Sequence, residues 1–406
     1  MRIRASLLAL VLLGGVAGCT SGGSPEASSS TSAPVSPPAT TSPATTATTS
    51  APASTSAPST TAASSLAERT LAAMSLAQRA GQLIMIDCPS TGVSDATRSA
   101  ITDSDVGSVI LDGTTRSGAD AVRGVTGELQ SLAPKGNRLF IATDQEGGLV
   151  QRLQGQGFDR IPSGVDQGQQ SVSTLRNNAQ TWGEQLRAVG VNVNLAPVLD
   201  VVPSGGGSNP PIGDLDRQYG STPRTVTSHG LAYAAGMTAA GVDPVVKHFP
   251  GLGRVSGNTD VASGVTDTVT TADDPDLAPF RAAVTTKVPF VMMSTAIYSR
   301  IDPGTPAAFS KRIVTGLLRG TFGFRGVVVS DDVGAADQVA DVSVGQRAVR
   351  FVRAGGDMVL SVVGAQAAPM TAALIREAKA DPAFRKLLDA AALRVLQAKQ
   401  ARGLLG

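Results

Sequence analysis

Arg138-Leu139-Phe140-Ile141-Ala142-Thr143-Asp144-Gln145-Glu146 changes character at a single residue. Up to Thr143 the run is short and apolar along its length, as a strand covered on both faces must be. From Asp144 onward it is polar. Seven further runs have the same apolar character: Gln82–Asp87, Val106–Leu111, Val191–Pro197, Pro244–His248, Val288–Ser294, Gly326–Ser330 and Asp357–Val362. Between them lie helical patterns. Ser75 is placed to cap a helix that ends before Gly81. Near the C-terminus Phe384, Leu387, Leu388, Ala391, Ala392 and Val395 fall on one helical face, with Gly403 as the stop.

Eight alternating strand–helix units imply a closed barrel or a large doubly wound parallel sheet. No Gly-rich phosphate loop opens a first helix; Gly147-Gly148 follows a strand but lacks the spacing of a dinucleotide fingerprint. The expected fold is therefore α/β, a single (β/α)8 TIM-type barrel over residues 65–406. Asp144-Gln145-Glu146, Asp200, Lys247-His248 and Asp331-Asp332 each follow a strand, and in a barrel such positions converge on the C-terminal mouth, where catalysis occurs. An isolated acid after a strand is often a helix cap. Four clusters of mixed sign are better explained by an active site.

Three of these stretches carry a family likeness. Asp144-Gln145-Glu146-Gly147-Gly148-Leu149-Val150-Gln151-Arg152, Lys247-His248-Phe249-Pro250-Gly251 and Ser330-Asp331-Asp332 resemble signatures of glycoside hydrolase family 3, in particular its one-domain β-N-acetylhexosaminidases. Asn194–Asp200, Phe309–Asp332 and Ala354–Met358 extend the likeness over nearly all of residues 66–406. The resemblance implies that Asp331 is the catalytic nucleophile, a carboxylate that attacks the anomeric carbon and later leaves as an ester. Asp332 would be a hydrogen-bonding group or cap. Asp144 would accept from sugar hydroxyls, and Arg152, Arg217, Lys247 and His248 would surround the bound sugar as donors. Gly147, Gly148 and Gly251 would permit tight turns or close backbone approach.

The likeness fails at one point. One-domain members of the family carry their general acid/base, a histidine steered by an aspartate, in an Asp-Ser-His sequence on a mobile loop. Here Asn258-Thr259-Asp260 stands in its place, and Leu252 replaces an earlier family histidine. The chain has two histidines, His229 and His248, and His229 lies in a helical stretch where packing explains it. Larger members take the acid from a second domain, and this chain ends soon after its eighth unit. Three readings stay open: Asp260 protonates the leaving oxygen, another loop acid such as Asp267 does, or the acid is lost.

The N-terminal residues read as an address. Arg2 and Arg4 precede an apolar run from Leu7 to Leu13, too short to span a bilayer core of roughly 30 Å. Val16-Ala17-Gly18-Cys19 resembles a lipobox, so residues 1–18 are expected to be a lipoprotein signal peptide and Cys19 the lipidated residue; the alternative is an ordinary signal peptide with a chance cysteine. Residues 19–64, rich in Ser, Thr, Pro and Ala, are expected to form a disordered tether. This address predicts a lipid-anchored protein on the extracytoplasmic face of the cell membrane.

With 34 basic and 32 acidic residues, nucleic acid is disfavoured as a partner. If Cys19 carries lipid, Cys88 has no disulfide partner. Aromatic residues make up 3% of the chain, with one tryptophan, Trp182, which points away from a long stacking cleft and toward a small polar pocket. One histidine in the site and no metal-binding spacing argue against a metal, and no organic cofactor is implied. The function expected is an exo-acting retaining β-N-acetylglucosaminidase that removes terminal N-acetylglucosamine from peptidoglycan-derived fragments. The alternatives are a β-glucosidase of the same family and a non-catalytic glycan-binding lipoprotein.

Overall fold

The computed structural model describes residues 64–406. The expected signal peptide, Cys19 and the tether through residue 63 lie outside the described residues.

Each of the eight apolar runs holds all or most of a strand, three strands running one or two residues past the expected bounds. They are β1 (Ile84–Pro89), β2 (Ser108–Asp112), β3 (Phe140–Thr143), β4 (Val193–Asn194), β5 (Asp243–Phe249), β6 (Phe290–Met293), β7 (Val327–Ser330) and β8 (Val359–Ser361). All neighbours pair in parallel, in the order β7-β6-β5-β4-β3-β2-β1-β8. A parallel bridge between Val329 and Met358 then joins β7 to β8. The order is cyclic and the sheet closes. That decides between the barrel and the doubly wound sheet, because an open sheet would leave two unpaired edges.

Alternation along each strand explains why the runs are apolar throughout. Met85, Ile110, Phe140, Val245, Met292 and Leu360 belong to the core inside the barrel. Their neighbours, such as Ile84, Ile86, Val109, Leu111 and Ile141, pack outward with the surrounding helices. Both faces of every strand are therefore dry. Asp357, fully buried, accepts from Arg319 Nη2 at 2.5 Å, Arg394 Nη1 at 2.7 Å and Val328 N at 2.8 Å, which fastens β8 to β7.

Local signals place the helix starts as the sequence predicts, although the helix after Ser75 runs through Gly81 rather than ending before it. Ser75 caps Leu76–Gly81 in a capping box with Gln78. The last helix, Pro382–Ala401, buries Phe384, Leu388, Ala391, Ala392 and Val395, and the chain turns at Gly403 with φ 69°. Leu387, expected on the same face, is instead 40% exposed. Its place on the buried stripe is taken by Lys399, four residues beyond Val395 and fully buried. Val395 and Leu404 reach the inner core and close the barrel at the end opposite its mouth. Cys88 is buried, and burial pushes its thiol up to about 12, so it packs as a small apolar group.

Candidate active site

The mouth is built where the strands stop being apolar. After β3 the chain makes a hairpin, Gln145–Gly147 against Val150–Gln151. Gly147 has φ 114°, and a Cβ there would meet Pro162 O at 2.1 Å, so only glycine fits this turn. The hairpin turns Glu146 inward. Glu146 is 7% exposed and meets Arg217 twice: Nε donates to Oε2 at 2.9 Å and Nη2 to Oε1 at 2.7 Å. Arg217 Nη1 also donates to Pro211 O at 2.6 Å, so the Gly/Pro-rich loop and its guanidinium are held together.

Lys247, near the end of β5, points its ammonium between two carboxylates, Asp144 Oδ1 and Glu146 Oε1, each at 2.6 Å. Burial alone would raise the Glu146 carboxyl, but the cations of Arg217 and Lys247 outweigh it and hold Glu146 well below the usual carboxylate range. Burial alone would lower Lys247; Asp144 and Glu146 outweigh it and raise it. Glu146, Arg217 and Lys247 are thus fixed in their charged forms at neutral pH.

Asp200 lies behind this group with no exposed surface. Its Oδ1 accepts from His248 N at 3.1 Å and Leu252 N at 2.8 Å, and its Oδ2 lies 2.7 Å from His248 Nδ1. An Nδ1–H donating to this carboxylate leaves Nε2 as the acceptor, and Arg217 Nη2 lies 3.5 Å from it.

Opposite stands Asp331, immediately after β7. Its backbone N donates to Met293 O at 2.8 Å, and its Oδ1 accepts from Asp332 N at 2.9 Å. Burial pushes the Asp331 carboxyl up to about 6; nearby His248 and Lys247 pull it down, and Asp260 pushes it further up. Asp332 is a cap, as expected. Its carboxylate accepts from Gly334 N at 2.8 Å, Ala335 N at 2.9 Å and Val362 N at 3.0 Å.

Asp144, Arg152, Arg217, Lys247 and His248 line a single cavity of about 370 Å³. Asp260 and Asp331 line the same cavity, so every site residue expected within the barrel comes to one place. Asp260 reaches it from a turn in which Asn258 Oδ1 accepts from Asp260 N at 3.0 Å. The carbonyls of Thr259 and Asp260 accept from Gln338 N at 3.1 Å and Asp337 N at 3.2 Å, which laces this loop to the segment that follows Asp331.

The alternative acid is corrected. Asp267 is 1% exposed, does not line the cavity, and spends both oxygens on its own turn. Val269 N and Thr270 N each donate to its Oδ1 at 2.7 Å, and Thr270 Oγ1 donates to its Oδ2 at 2.7 Å. His229 is also structural, with Nδ1 3.0 Å from Thr225 O and Nε2 3.0 Å from Gln170 O. Trp182 is buried and packs against Tyr233 with ring centroids 6.1 Å apart; no Trp, Tyr or Phe lines the cavity. The pocket grips by hydrogen bonds and charge rather than by stacking.

Two structural roles escape the sequence reading. Glu146 and Asp200 are visible as acids after strands, but their partners are 71 and 48 residues away. Together they orient the polar wall: Glu146 holds the donors Arg217 and Lys247, and Asp200 holds the His248 ring. A rigid set of donors beside two carboxylates, Asp331 and Asp260, is suited to binding a polyhydroxylated ring and cleaving its acetal.

Residues 75–398 match the model of the glycosyl hydrolase family 3 N-terminal domain. The chain is similar to the crystal structure of a β-N-acetylhexosaminidase from Beutenbergia cavernae, with 49% identity and a TM-score of 0.79 over 80% of this chain and 99% of that one. A family 3 β-N-acetylglucosaminidase from a Paenibacillus species matches at 33% identity and a TM-score of 0.75, over 82% of this chain and 63% of that one. In sequence, a β-hexosaminidase of Stenotrophomonas maltophilia is 32% identical over 294 residues, 68% of this chain and 82% of that protein.

Proposed function

Because the chain belongs to glycosyl hydrolase family 3, and is on that account a glycoside hydrolase, we propose that it is an exo-acting, retaining β-N-acetylglucosaminidase. The single observation that carries this reading is Asp331. It is a half-buried carboxylate pushed up to about 6, yet still ionised at neutral pH, facing a small cavity between Asp260 and a fixed cationic wall. A carboxylate so placed attacks an anomeric carbon while the wall orients the ring.

In the first step an Asp331 oxygen bonds to the anomeric carbon as the bond to the leaving oxygen breaks. The Asp260 carboxyl gives that oxygen its proton. In the second step Asp260 takes a proton from water, the water oxygen attacks the same carbon, and Asp331 leaves as carboxylate. Two inversions give net retention. Asp144, Arg152, Lys247 and His248 bind sugar hydroxyls, and Arg217 acts with them. The names of the similar proteins support N-acetylglucosamine as the sugar. The N-terminal sequence supports lipid anchoring through Cys19 at the extracytoplasmic face of the cell membrane, and that address supports peptidoglycan-derived fragments as the natural substrate.

The test uses two nitrophenyl N-acetyl-β-glucosaminides, one with a strongly acidic leaving group and one with a poor one. A good leaving group departs without a proton and so reports on the nucleophile alone. Asp331→Asn is expected to abolish turnover of both, whereas Asp260→Asn loses the poor substrate by about 10²–10⁴-fold and largely spares the activated one. Equal effects of Asp260→Asn on the two substrates would remove Asp260 from the acid's role. Failure of the wild type on both, with turnover of a glucoside, would replace the sugar.

A further inference from the structure

The mouth keeps a carboxylate, Asp112, and a guanidinium, Arg152, that no group among the described residues satisfies, and both residues line the same cavity. Asp112 ends β2, two residues beyond the inward-facing Ile110, and lines the cavity. Among the described residues, the hydrogen bond that reaches Asp112 goes to its backbone carbonyl, from Ser90 N at 2.8 Å; its carboxylate receives none. Behind it lies Asp87, whose Oδ1 is buried without a partner and whose carboxyl is pushed up to about 6 by burial and then by Asp112.

The donor is Arg152. It lines the same cavity, and among the described residues its guanidinium donates to no protein group, its Nε being buried without a partner. Thr115 N donates to Arg152 O at 2.9 Å and Gln154 N to Thr115 O at 3.0 Å, so the loop after β2 is laced to the segment that carries Arg152. Despite this lacing, no ion pair joins Arg152 to Asp112 among the described residues; the ion pairs at the mouth are those of Arg217, Lys247 and His248.

A carboxylate only accepts hydrogen bonds and a guanidinium only donates them, while a hydroxyl does both. An unspent acceptor and an unspent donor on adjoining segments are therefore the complement of one hydroxyl group. Asp112 also sits three strands from Asp331 in the cyclic order β7-β8-β1-β2. With the anomeric carbon at Asp331, a sugar filling this cavity would present its far edge to Asp112. We propose that Asp112 is a specificity-determining residue that, together with Arg152, reads a free hydroxyl on the edge of the terminal sugar distal to the anomeric carbon. This rests on the reading of Asp331 as nucleophile. A sugar lacking that hydroxyl leaves both groups unpaired, and one bearing a glycosyl or acyl group there can no longer donate to Asp112. The pair thereby favours cleavage of terminal, unsubstituted sugars.

The test is a cycle run on the full chain, with kcat/KM as the readout. Wild type, Asp112→Ala and Asp112→Asn are each given three nitrophenyl N-acetyl-β-glucosaminides: the parent, the 4-deoxy sugar and the 6-deoxy sugar. In the wild type one deoxy sugar should lose at least about tenfold against the parent, as expected for a hydrogen bond to a charged group. In Asp112→Ala that loss should shrink to less than about threefold, while Asp112→Asn, which keeps an acceptor, should retain an intermediate loss. A purely structural Asp112 would depress all three substrates by one common factor. Equal deoxy losses in wild type and Asp112→Ala would overturn the proposal, and Asp112→Asn decides it if the alanine variant does not fold. If the parent sugar is not turned over, the sugar reading has failed instead, and the same cycle is run with the deoxy series of the glucoside that is. Should neither glycoside turn over, the cycle is read from the dissociation constants of the free sugars.

Discussion

Two buried lysines stand at opposite ends of the barrel, and they are solvated in opposite ways. Lys247 at the mouth lies 2.6 Å from each of two carboxylates, which raise it above its usual range. Lys399 at the closed end is fully buried and meets two neutral amide oxygens, Gln82 Oε1 at 2.8 Å and Asn137 Oδ1 at 2.9 Å, with the Phe140 ring centroid 5.9 Å away. Burial lowers Lys399 to about 7. The difference shows where this fold stores charge and where it tolerates losing it. At the mouth Lys247 and Arg217 are matched by carboxylates, so these two cations stay charged and fixed for a ligand. At the closed end a single ion is held by dipoles and titrates near neutrality.

The largest effect should come from unmatching the mouth. Lys247→Ala leaves Asp144 and Glu146 without their shared cation. It is expected to cost about 3–5 kcal/mol in denaturant unfolding, together with most of the turnover. A loss below about 1 kcal/mol would mean that the Arg217 guanidinium alone suffices.

Lys399 should show itself in the pH dependence of stability. The folded state gives up this proton near pH 7 while the unfolded chain keeps it to about 10.5, so between these values the unfolded state binds more protons and stability rises with pH. Wild type should gain on Lys399→Met by as much as about 1 kcal/mol per pH unit between pH 7 and 10. Parallel stability curves for the two proteins would show that Lys399 is not displaced in its titration.

Asp331 has the reverse sign. Its folded carboxyl keeps a proton to about pH 6 against 3.8 for an ordinary aspartate, so its contribution is full below pH 3.8 and lost as the pH rises through 6. Asn does not ionise. Asp331→Asn should therefore be inactive yet more stable than wild type above pH 6, by up to about 3 kcal/mol, with the gain fading at pH 4. A destabilised variant at pH 7.5 would contradict this account of the site's electrostatics.

The smallest effect concerns Asp260, which helps to push Asp331 up. With the activated substrate, which needs no proton donor, Asp260→Asn should move the acidic limb of kcat/KM to lower pH. An unmoved limb would place Asp260 too far from Asp331 to act with it.

Much of the barrel was legible because both faces of each strand are dry and the runs are therefore apolar without interruption. The contacts that close it were not, since the pairing of Val328–Ser330 with Asp357–Met358 joins segments that no local pattern brings together. The site was legible where charge follows a strand, as at Asp144, Lys247 and Asp331. It was illegible where a role depends on a distant partner, as with Glu146 and Arg217 or Asp200 and His248. Asp112 follows an apolar run too and ends β2, but a lone acid before Gly113 looks like a turn until the cavity is seen. Lys399 had a readable signal that the apolar face obscured: it continues the stripe of Leu388, Ala391 and Val395 by one more turn.

The central claim, that Asp331 is the nucleophile of a retaining glycosidase, is tested most directly by trapping the intermediate. The full chain is incubated with a fluorinated N-acetylglucosaminyl fluoride, whose glycosyl-enzyme forms faster than it hydrolyses, and then digested and analysed by mass spectrometry. The account predicts one glycosyl group on the peptide that contains Asp331, on that residue, and none in Asp331→Asn. A glycosyl group on a different residue, or hydrolysis of an ordinary substrate with inversion and no adduct, would contradict it.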